Sequence, residues 1–122
     1  MPLYTIATQA GTLDGPRKAS LAAEITALHV EIAGVPKEWV HVLFQDYAPG
    51  SGFSAGQPAP MVSLSLTIRT GRSADYKRNL LTRLWALLRT ATAVSDDQIV
   101  IGLQEVPPSD AMEMARIMPD VS

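Results

Sequence analysis

The second residue of the chain is a proline, Pro2, which follows Met1. Because Pro2 is small, removal of Met1 is expected, and this removal would leave a free secondary amine. Such an amine can take or give a proton near neutral pH when burial and neighbouring cations lower its pKa. The alternative interpretation is that Pro2 simply begins a strand, as prolines can. A retained Met1 would turn the same nitrogen into an unreactive amide.

Two arginines, Arg69 and Arg72, lie close together in the segment IRTGRSADYK. Arg69 ends a predicted strand, and Arg72 lies just before a predicted helix. Open α/β sheets bind ligands at the carboxyl ends of their strands, and two guanidinium groups can hold a carboxylate through paired hydrogen bonds. The pattern therefore predicts a site for a small carboxylate. Solvated surface arginines are the alternative.

A histidine and a glutamate are further candidates for proton chemistry. His29 lies on a predicted helix beside Leu28 and Ile32, where a structural, hydrogen-bonded histidine is the alternative to a catalytic one. Glu113 follows the string VPPSDAM, in a segment that has no counterpart in the first half of the chain, and an exposed acid is the alternative there. Weaker candidates on strands or at strand ends are His41, Tyr4, Tyr47 and Gln104.

An internal repeat positions these residues. At an offset of 59, residues 3–50 align without a gap on residues 62–109. The identical pairs are Thr8/Thr67, Lys18/Lys77, Leu21/Leu80, Ala27/Ala86, Leu28/Leu87, Val35/Val94, Gln45/Gln104 and Pro49/Pro108. Under this alignment Pro2 corresponds to Met61. We therefore expect one domain over residues 1–122, with repeats at 2–50 and 61–109, a loop at 48–60 and a C-terminal segment at 107–122.

Each repeat carries the pattern strand, helix, strand. The first is predicted to contain a strand from Leu3 to Thr8, a helix capped by Asp14 and ended by Gly34, with an apolar stripe of Leu21, Ile25, Leu28 and Ile32, and a strand from Trp39 to Tyr47. The second is predicted to contain a strand from Val62 to Arg69, a helix capped by Ser73, with a stripe of Leu80, Leu84, Leu87 and Ala91, and a strand through Ile99, Ile101 and Leu103. The segment 48–60 is rich in Gly and Pro and has no periodicity, which predicts a linker or an active-site flap.

Two such units can pool their strands into one sheet. Parallel strands joined by a helix cross over in the right-handed sense. This predicts an α/β (α+β) fold with a four-stranded mixed sheet and two helices on one face. The other face would be uncovered, and because we expect it to be apolar, partner subunits are predicted to bury it.

Composition limits the functions that the chain could have. A net charge of -2 and ten scattered Lys and Arg provide no surface for a polyphosphate backbone, so nucleic acid is not an expected partner. No long apolar run or signal-type start is present, which predicts a cytoplasmic protein that does not associate with membranes. With no cysteine and two histidines, neither a thiolate nor a metal site is expected. Acid–base chemistry without a cofactor or metal remains.

Together these features resemble the tautomerase superfamily, whose members use an amino-terminal proline on a β-α-β building block. The likeness is greatest to the cis-3-chloroacrylic acid dehalogenase group, in which two such blocks are fused. It covers nearly the whole chain and is carried by Pro2 with Tyr4, by ITALH around His29, and by the strings FQDYAPG, RTGRSADYK and EVPPSDAMEMARIMP.

The resemblance implies a role for each candidate. Pro2 would be the catalytic proline, and Arg69 and Arg72 would hold the carboxylate of a small substrate. His29 would assist, and Glu113 would position or activate water. The resemblance also implies a homotrimer, whose subunit contacts would cover the open face of the sheet.

One position departs from the dehalogenase pattern. Gly102, in the string IVIGLQEVP, stands where that pattern has a tyrosine that helps Glu113 handle water. Because this loss affects water activation more than proton shuttling, the sequence favours keto–enol tautomerisation of a 2-oxo acid, which needs an unprotonated Pro2.

Three other functions stay open. A hydratase or hydrolytic dehalogenase of a 3-haloacrylate-like acid would need a protonated Pro2, with Glu113 activating water. Decarboxylation of a small 3-oxo acid would use the same residues. A non-catalytic oligomeric binding module is the alternative from a different class, and Gly102 and any retention of Met1 favour it.

Overall fold

Two strand–helix–strand units, each followed by a short hairpin, build the molecule. The structure is a computed structural model, and it describes residues 1–121. The first unit contains β1 (Leu3–Gln9), α1 (Gly15–Ala33), β2 (His41–Tyr47), β3 (Phe53–Ser54) and β4 (Gln57–Pro58). The second contains β5 (Val62–Arg69), α2 (Ala74–Thr92), β6 (Ile99–Val106), β7 (Met112–Glu113) and β8 (Arg116–Ile117).

The four long strands form one mixed sheet in the order β2-β1-β5-β6. Within each unit the strands are parallel, and the two units join through the antiparallel pair β1 and β5. Alternate side chains of the central strands pack with the two helices in one core: Tyr4, Ile6, Val62, Leu64, Leu66, Leu21, Ile25, Leu80 and Leu84. The predicted fold class, a four-stranded mixed sheet with two helices on one face, is confirmed.

The helix caps predicted at Asp14, Gly34 and Ser73 are observed. Asp14 accepts the backbone N–H of Arg17 at the start of α1, and Ser73 accepts that of Tyr76 at the start of α2. Gly34 ends α1 in the left-handed conformation, and its counterpart after α2 is Ala93. Within residues 1–121, no helix is long and apolar enough to cross a membrane.

The buried stripe of α2 differs from the predicted one. Leu80 and Leu84 are buried as expected, but Leu88 and Thr92 continue the stripe. The predicted members Leu87 and Ala91 are only partly buried against the core. The observed stripe steps by four residues, and because a helix turns 100° per residue, it rotates gradually around the helix axis.

The strand predicted from Trp39 to Tyr47 begins two residues later. Lys37–Trp39 is a 3-10 turn, and β2 starts at His41. The backbone N–H of Trp39 donates to the carbonyl of Pro36, and that of Val40 donates to the carbonyl of Lys37. These N–H groups are used within the turn and cannot join the sheet ladder.

Both halves have the same order of elements, but the alignment between them shifts by one residue in the first strand. Leu3 pairs with His41 in the first unit, whereas Ser63 pairs with Val100 in the second. The offset is therefore 60 between β1 and β5 and stays 59 between the helices. A shift of one residue moves a side chain to the opposite face of a sheet. Pro2 accordingly corresponds to Val62, and the predicted match to Met61 is wrong.

Two hairpins of the same shape follow the two units. Ala55 and Gly56 link β3 to β4, and Met114 and Ala115 link β7 to β8, all four with positive φ. The second hairpin lies 59 residues after the first. Glu113 therefore has a counterpart in the first half, Ser54, and the expectation that its segment has none is wrong. The segment 48–60 contains a hairpin and is not merely a linker.

The face of the sheet opposite the helices is covered by no element within residues 1–121. It is less apolar than expected, because its centre carries the small or polar side chains of Thr5, Ala7, Ser63, Ser65 and Thr67, together with Gly102. Its exposed large apolar residues are Leu3, Leu43 and Val100. Burial of this face by partner subunits stays a prediction.

Candidate active site

The amino end of β1 lies at the centre of the candidate site. Pro2 is fully buried, and its carbonyl accepts the backbone N–H of His41 at 3.1 Å. The free amine in the structure belongs to Met1, one residue before Pro2. This amine contacts the carboxylate of Glu113 and lies 4.0 Å from the Sδ of Met118. The chain start and the C-terminal hairpin therefore meet here.

A buried tyrosine–histidine pair lies beside this end of the strand. The Oη of Tyr4 is 2.7 Å from the Nδ1 of His29, and the rings meet edge to face at 5.6 Å between centroids. Burial, together with the smaller effects of the positive charges of Arg72 and the amino terminus, lowers the pKa of His29 to about 4. Burial also raises the pKa of Tyr4. Both side chains are therefore uncharged at neutral pH.

Arg69 occupies the carboxyl end of β5 and is itself buried. Its Nη1 donates to the carbonyl of Pro119 at 2.6 Å and to that of Asp120 at 3.2 Å. Burial lowers the pKa of Arg69, and the nearby charge of Arg72 adds to this effect. Part of its hydrogen-bonding capacity is thus used by the last residues of the described chain.

Arg72 lies just before α2 and faces the end of α1. Its guanidinium lies 4.9 Å from the ring centroid of Tyr76, and its Nη2 donates to the carbonyl of Ala33 at 3.5 Å. That distance is long for a hydrogen bond, so most of the donor capacity of Arg72 remains available. Burial raises the pKa of Tyr76, although the charges of Arg72 and Arg69 oppose the rise.

The C-terminal hairpin contributes Glu113 and Arg116, which pair across its two strands. The guanidinium of Arg116 lies 5.3 Å from the ring of Trp39, and that of Arg69 lies 5.4 Å from the same ring. Trp39 thereby links the hairpin to the end of β5. Cation–π contacts of this kind stabilise such packing modestly.

The structure gathers all five predicted site residues around the amino terminus. The charges of Arg72 and the terminus act on His29, those of Arg72 and Glu113 act on Arg69, and Glu113 contacts the terminal amine. Of the weaker candidates only Tyr4 joins this group. His41 and Gln104 point to the uncovered face, and Tyr47 donates to the carbonyl of Met61.

Three further residues at the site were not identified from the sequence. Tyr76 lies in the first turn of α2, four residues after Arg72, and this closeness in sequence could have indicated their contact. Trp39 and Arg116 come from distant segments, and no local pattern connects them to Arg69.

Gly102 lies outside this group, on the uncovered face and opposite Ser65. A Cβ placed on Gly102 would meet no atom within 4 Å in the described part of the chain. A larger side chain would therefore fit at this position of a single subunit.

The arrangement suits a small carboxylic acid. Two guanidinium groups can bind a carboxylate and stabilise negative charge that develops during reaction. A neutral histidine can donate or accept one hydrogen bond, and Glu113 can accept a proton. Residues 1–121 hold no group of three or more side chains suited to a metal ion.

Comparison with known proteins places the chain in a family. A family model described as "Putative oxalocrotonate tautomerase enzyme" matches residues 1–119. No curated protein matches the chain. The crystal structure of native Ps01740 is similar, with 35% identity over 91% of this chain and 99% of that one and a TM-score of 0.88.

Two further solved structures extend the likeness. N1, a member of the cis-3-chloroacrylic acid dehalogenase family, is 30% identical over 98% of this chain and 85% of its own, with a TM-score of 0.92. Fused 4-OT Q0, described as a wild-type symmetric trimer, shares the fold, with 20% identity over 95% of this chain and 94% of its own and a TM-score of 0.86. The chain therefore belongs to the oxalocrotonate tautomerase family within the tautomerase superfamily of enzymes, and it is related to the cis-3-chloroacrylic acid dehalogenase family.

Proposed function

We propose that the chain is a keto–enol tautomerase of a 2-oxo acid and that its base is the Pro2 amine, freed by removal of Met1. One observation carries this proposal: Pro2 is buried at the start of the chain, where the amino terminus contacts Glu113 and acts together with Arg72 on the pKa of His29. A secondary amine here would lie near arginines that can bind the carboxylate of a substrate, and its proton transfer would need no metal or cofactor.

The reaction would transfer one proton within the substrate. Arg69 and Arg72 would bind the carboxylate, with the carbonyls of Pro119 and Asp120 sharing or releasing the Arg69 guanidinium. The unprotonated Pro2 nitrogen would remove a proton from the carbon next to the keto group, and the electron pair would move to the keto oxygen. His29 would donate a hydrogen bond to this oxygen. The proton would then be delivered to that oxygen to complete the enol.

A second candidate is a hydratase or hydrolytic dehalogenase of a 3-haloacrylate-like acid. Glu113 favours this candidate: it contacts the Met1 amine, and a carboxylate this close to the start of the chain would stabilise the protonated form of a freed Pro2 amine. Pro2 would then act as the acid and Glu113 would activate water. The absence of a tyrosine at Gly102 weighs against efficient water activation, and we therefore rank this activity second.

The proposed enzyme would act as a homotrimer. Exposed Leu3, Leu43 and Val100 on the open face of the sheet support a subunit contact, and the fused 4-OT that shares this fold is described as a trimer. A retained Met1 would block the amine and would support the binding-module alternative. Intact mass of the purified protein distinguishes the two.

Kinetics of Pro2→Ala test the proposal. We expect kcat/KM for an enolisable aryl-pyruvate to fall by about 10²-fold, because general acid–base catalysis contributes on this scale. Pro60→Ala, which changes an exposed proline just before β5, is the matched control and should leave the rate unchanged. An unchanged rate for Pro2→Ala would refute the proline mechanism.

The pH profile and the arginine variants refine the result. Activity that rises with pH through one ionisation identifies Pro2 as a base, and activity on a 3-haloacrylate that falls with pH identifies it as an acid. Arg69→Ala and Arg72→Ala should raise KM or lower kcat/KM if they bind the carboxylate.

A further inference from the structure

The hydroxyl of Tyr4 has no part in the proton transfer described above. The side chain is fully buried, and within residues 1–121 its one hydrogen bond is to the Nδ1 of His29. The corresponding residues of the second unit are Leu64 and Leu88, both buried in the core. The scaffold can therefore fill these two positions with apolar side chains, so packing alone does not require a polar pair.

Hydrogen-bond accounting gives the direction of this bond. A neutral imidazole has one donor and one acceptor nitrogen, and a phenol has one O–H donor. If Nδ1 donated to Tyr4, the buried Tyr4 O–H would have no acceptor in the described chain, which is costly. If Tyr4 donates to Nδ1, its O–H is satisfied and the histidine hydrogen must lie on Nε2. The pKa of His29, lowered to about 4, agrees with a neutral ring.

The other edge of the ring is the one available to a ligand. Within residues 1–121 the Tyr4 hydroxyl is the single hydrogen-bond partner of the ring, so Nε2–H has none. Arg72 and the amino terminus both lower the pKa of His29, so the ring lies near two groups of the candidate site.

We infer that Tyr4 is a positioning residue that fixes His29 as the Nε2–H tautomer, so that His29 donates a neutral hydrogen bond to the keto oxygen of the substrate. This inference rests on the proposed function. The inference assigns the carboxylate oxygens of the substrate to the arginines and its keto oxygen to His29. The arginines hold the carboxylate, and the uncharged histidine stabilises the developing enolate without itself giving up a proton.

Nitrogen NMR tests the tautomer directly. Long-range 1H–15N spectra of the processed protein at pH 7 distinguish a protonated ring nitrogen from an unprotonated one. We expect hydrogen on Nε2 of His29 and none on Nδ1. In Tyr4→Phe, the His29 signals should move towards a mixture of tautomers. Hydrogen on Nδ1 in the parent chain, a charged ring, or unchanged signals in Tyr4→Phe would overturn the inference.

Kinetics test whether the tautomer matters. Tyr4→Phe should lower kcat/KM for an enolisable aryl-pyruvate about tenfold, the lower end of the loss seen when the partner that orients a metal-bound histidine is removed. In a His29→Gln background the same substitution should have no further effect, and an equal loss in both backgrounds would contradict a role through His29.

A matched control and the Pro2 variant separate the possible failures. Tyr47→Phe removes a hydroxyl that bonds to the carbonyl of Met61, away from His29, and should leave both the spectra and the rate unchanged. If Pro2→Ala leaves the rate unchanged, the proposed function fails while the spectra still report the tautomer. If His29 carries hydrogen on Nδ1, the tautomer assignment fails and the proline mechanism stands.

Discussion

Two equivalent places in the molecule have opposite chemistry. The candidate site around the amino terminus and the equivalent region of the molecule each draw residues from both units. The equivalent pairs, with the site residue first, are Pro2/Val62, Tyr4/Leu64, His29/Leu88, Arg72/Leu13 and Glu113/Ser54. Four of those five counterparts are buried apolar residues of the core. The backbone of the two places is nevertheless the same, down to the hairpin that follows each unit. A polar site is thus not a requirement of this scaffold.

Features at the surface of the two units match where the sites do not. Lys18 pairs with Asp46 at 2.9 Å, and Lys77 pairs with Glu105 at 2.8 Å. Each pair joins a helix to the strand that follows it. Because half-exposed ion pairs contribute little stability, they do not explain the fold. The difference between the units is therefore concentrated at the buried end of β1.

Exchanging the buried residues between the two places should give the largest effect. Leu88→His would remove apolar burial and leave an imidazole without a partner, since the position equivalent to Tyr4 is occupied by Leu64. We expect a loss of about 4 kcal/mol in the free energy of unfolding. Urea unfolding followed by circular dichroism measures it.

The converse exchange is the control. The double variant Tyr4→Phe with His29→Leu replaces both partners of a hydrogen bond by apolar groups, which is often nearly neutral. We expect its stability at pH 7 to stay within about 1 kcal/mol of the parent, while activity falls. If Leu88→His and the double variant lose the same free energy of unfolding, the candidate site and its equivalent region do not differ as described.

Acid should destabilise the first unit through His29. The pKa of His29 is about 4 in the folded chain, compared with the ordinary value of 6.5 that applies when the chain is unfolded. The unfolded chain therefore binds the proton more readily between these values, so stability is full above pH 6.5 and is lost as pH falls towards 4. The loss amounts to about 3 kcal/mol, since one pKa unit corresponds to about 1.4 kcal/mol.

Comparison of two variants isolates this effect. Urea midpoints between pH 4 and 7 should fall less in the Tyr4→Phe, His29→Leu protein than in the parent. His41→Gln changes the exposed histidine and should retain the full pH dependence. The same slope in parent and double variant would mean that His29 is not buried as a neutral ring.

The helix ends should give the smallest effect. Gly34 and Ala93 both adopt the left-handed conformation, with φ of 68° and 58°. Gly34→Ala should lower the free energy of unfolding by about 1 kcal/mol, and Ala93→Gly should raise it by up to about 1 kcal/mol. A Cβ on Gly34 meets nothing within 4 Å, so the change tests conformation alone. Thermal unfolding measures both variants. If their melting temperatures shift in the same direction, the left-handed conformation does not explain the effects.

The regular elements could be predicted because their signals are local. Helix caps at Asp14 and Ser73 and the buried residues of β5 follow from side-chain type and periodicity. The predicted alignment of β1 on β5 is wrong. It relies on the identity of Thr8 and Thr67, but Thr8 faces the core and Thr67 faces the open side. The alternation was the physically stronger signal.

The parts that were missed depend on geometry that short sequence patterns do not carry. The turns at Ala55–Gly56 and Met114–Ala115 use positive φ without the Asn-Gly or Asp-Gly pairs that usually mark such hairpins. The contacts of Trp39 with Arg69 and Arg116 join three distant segments. The roles of the site residues came from the family resemblance, and they stay predictions.

The way in which the chain enters β5 has a consequence for evolution. Val62 is joined to Met61 through a peptide bond, so its nitrogen is an amide and cannot act as an acid or a base. Joining two strand–helix–strand units in one chain therefore leaves only the first unit with a free terminal amine. Residues around the second position are then not selected for reactivity, and substitutions that stabilise the core can accumulate there. Leucine at positions 64 and 88 is what such substitutions would leave.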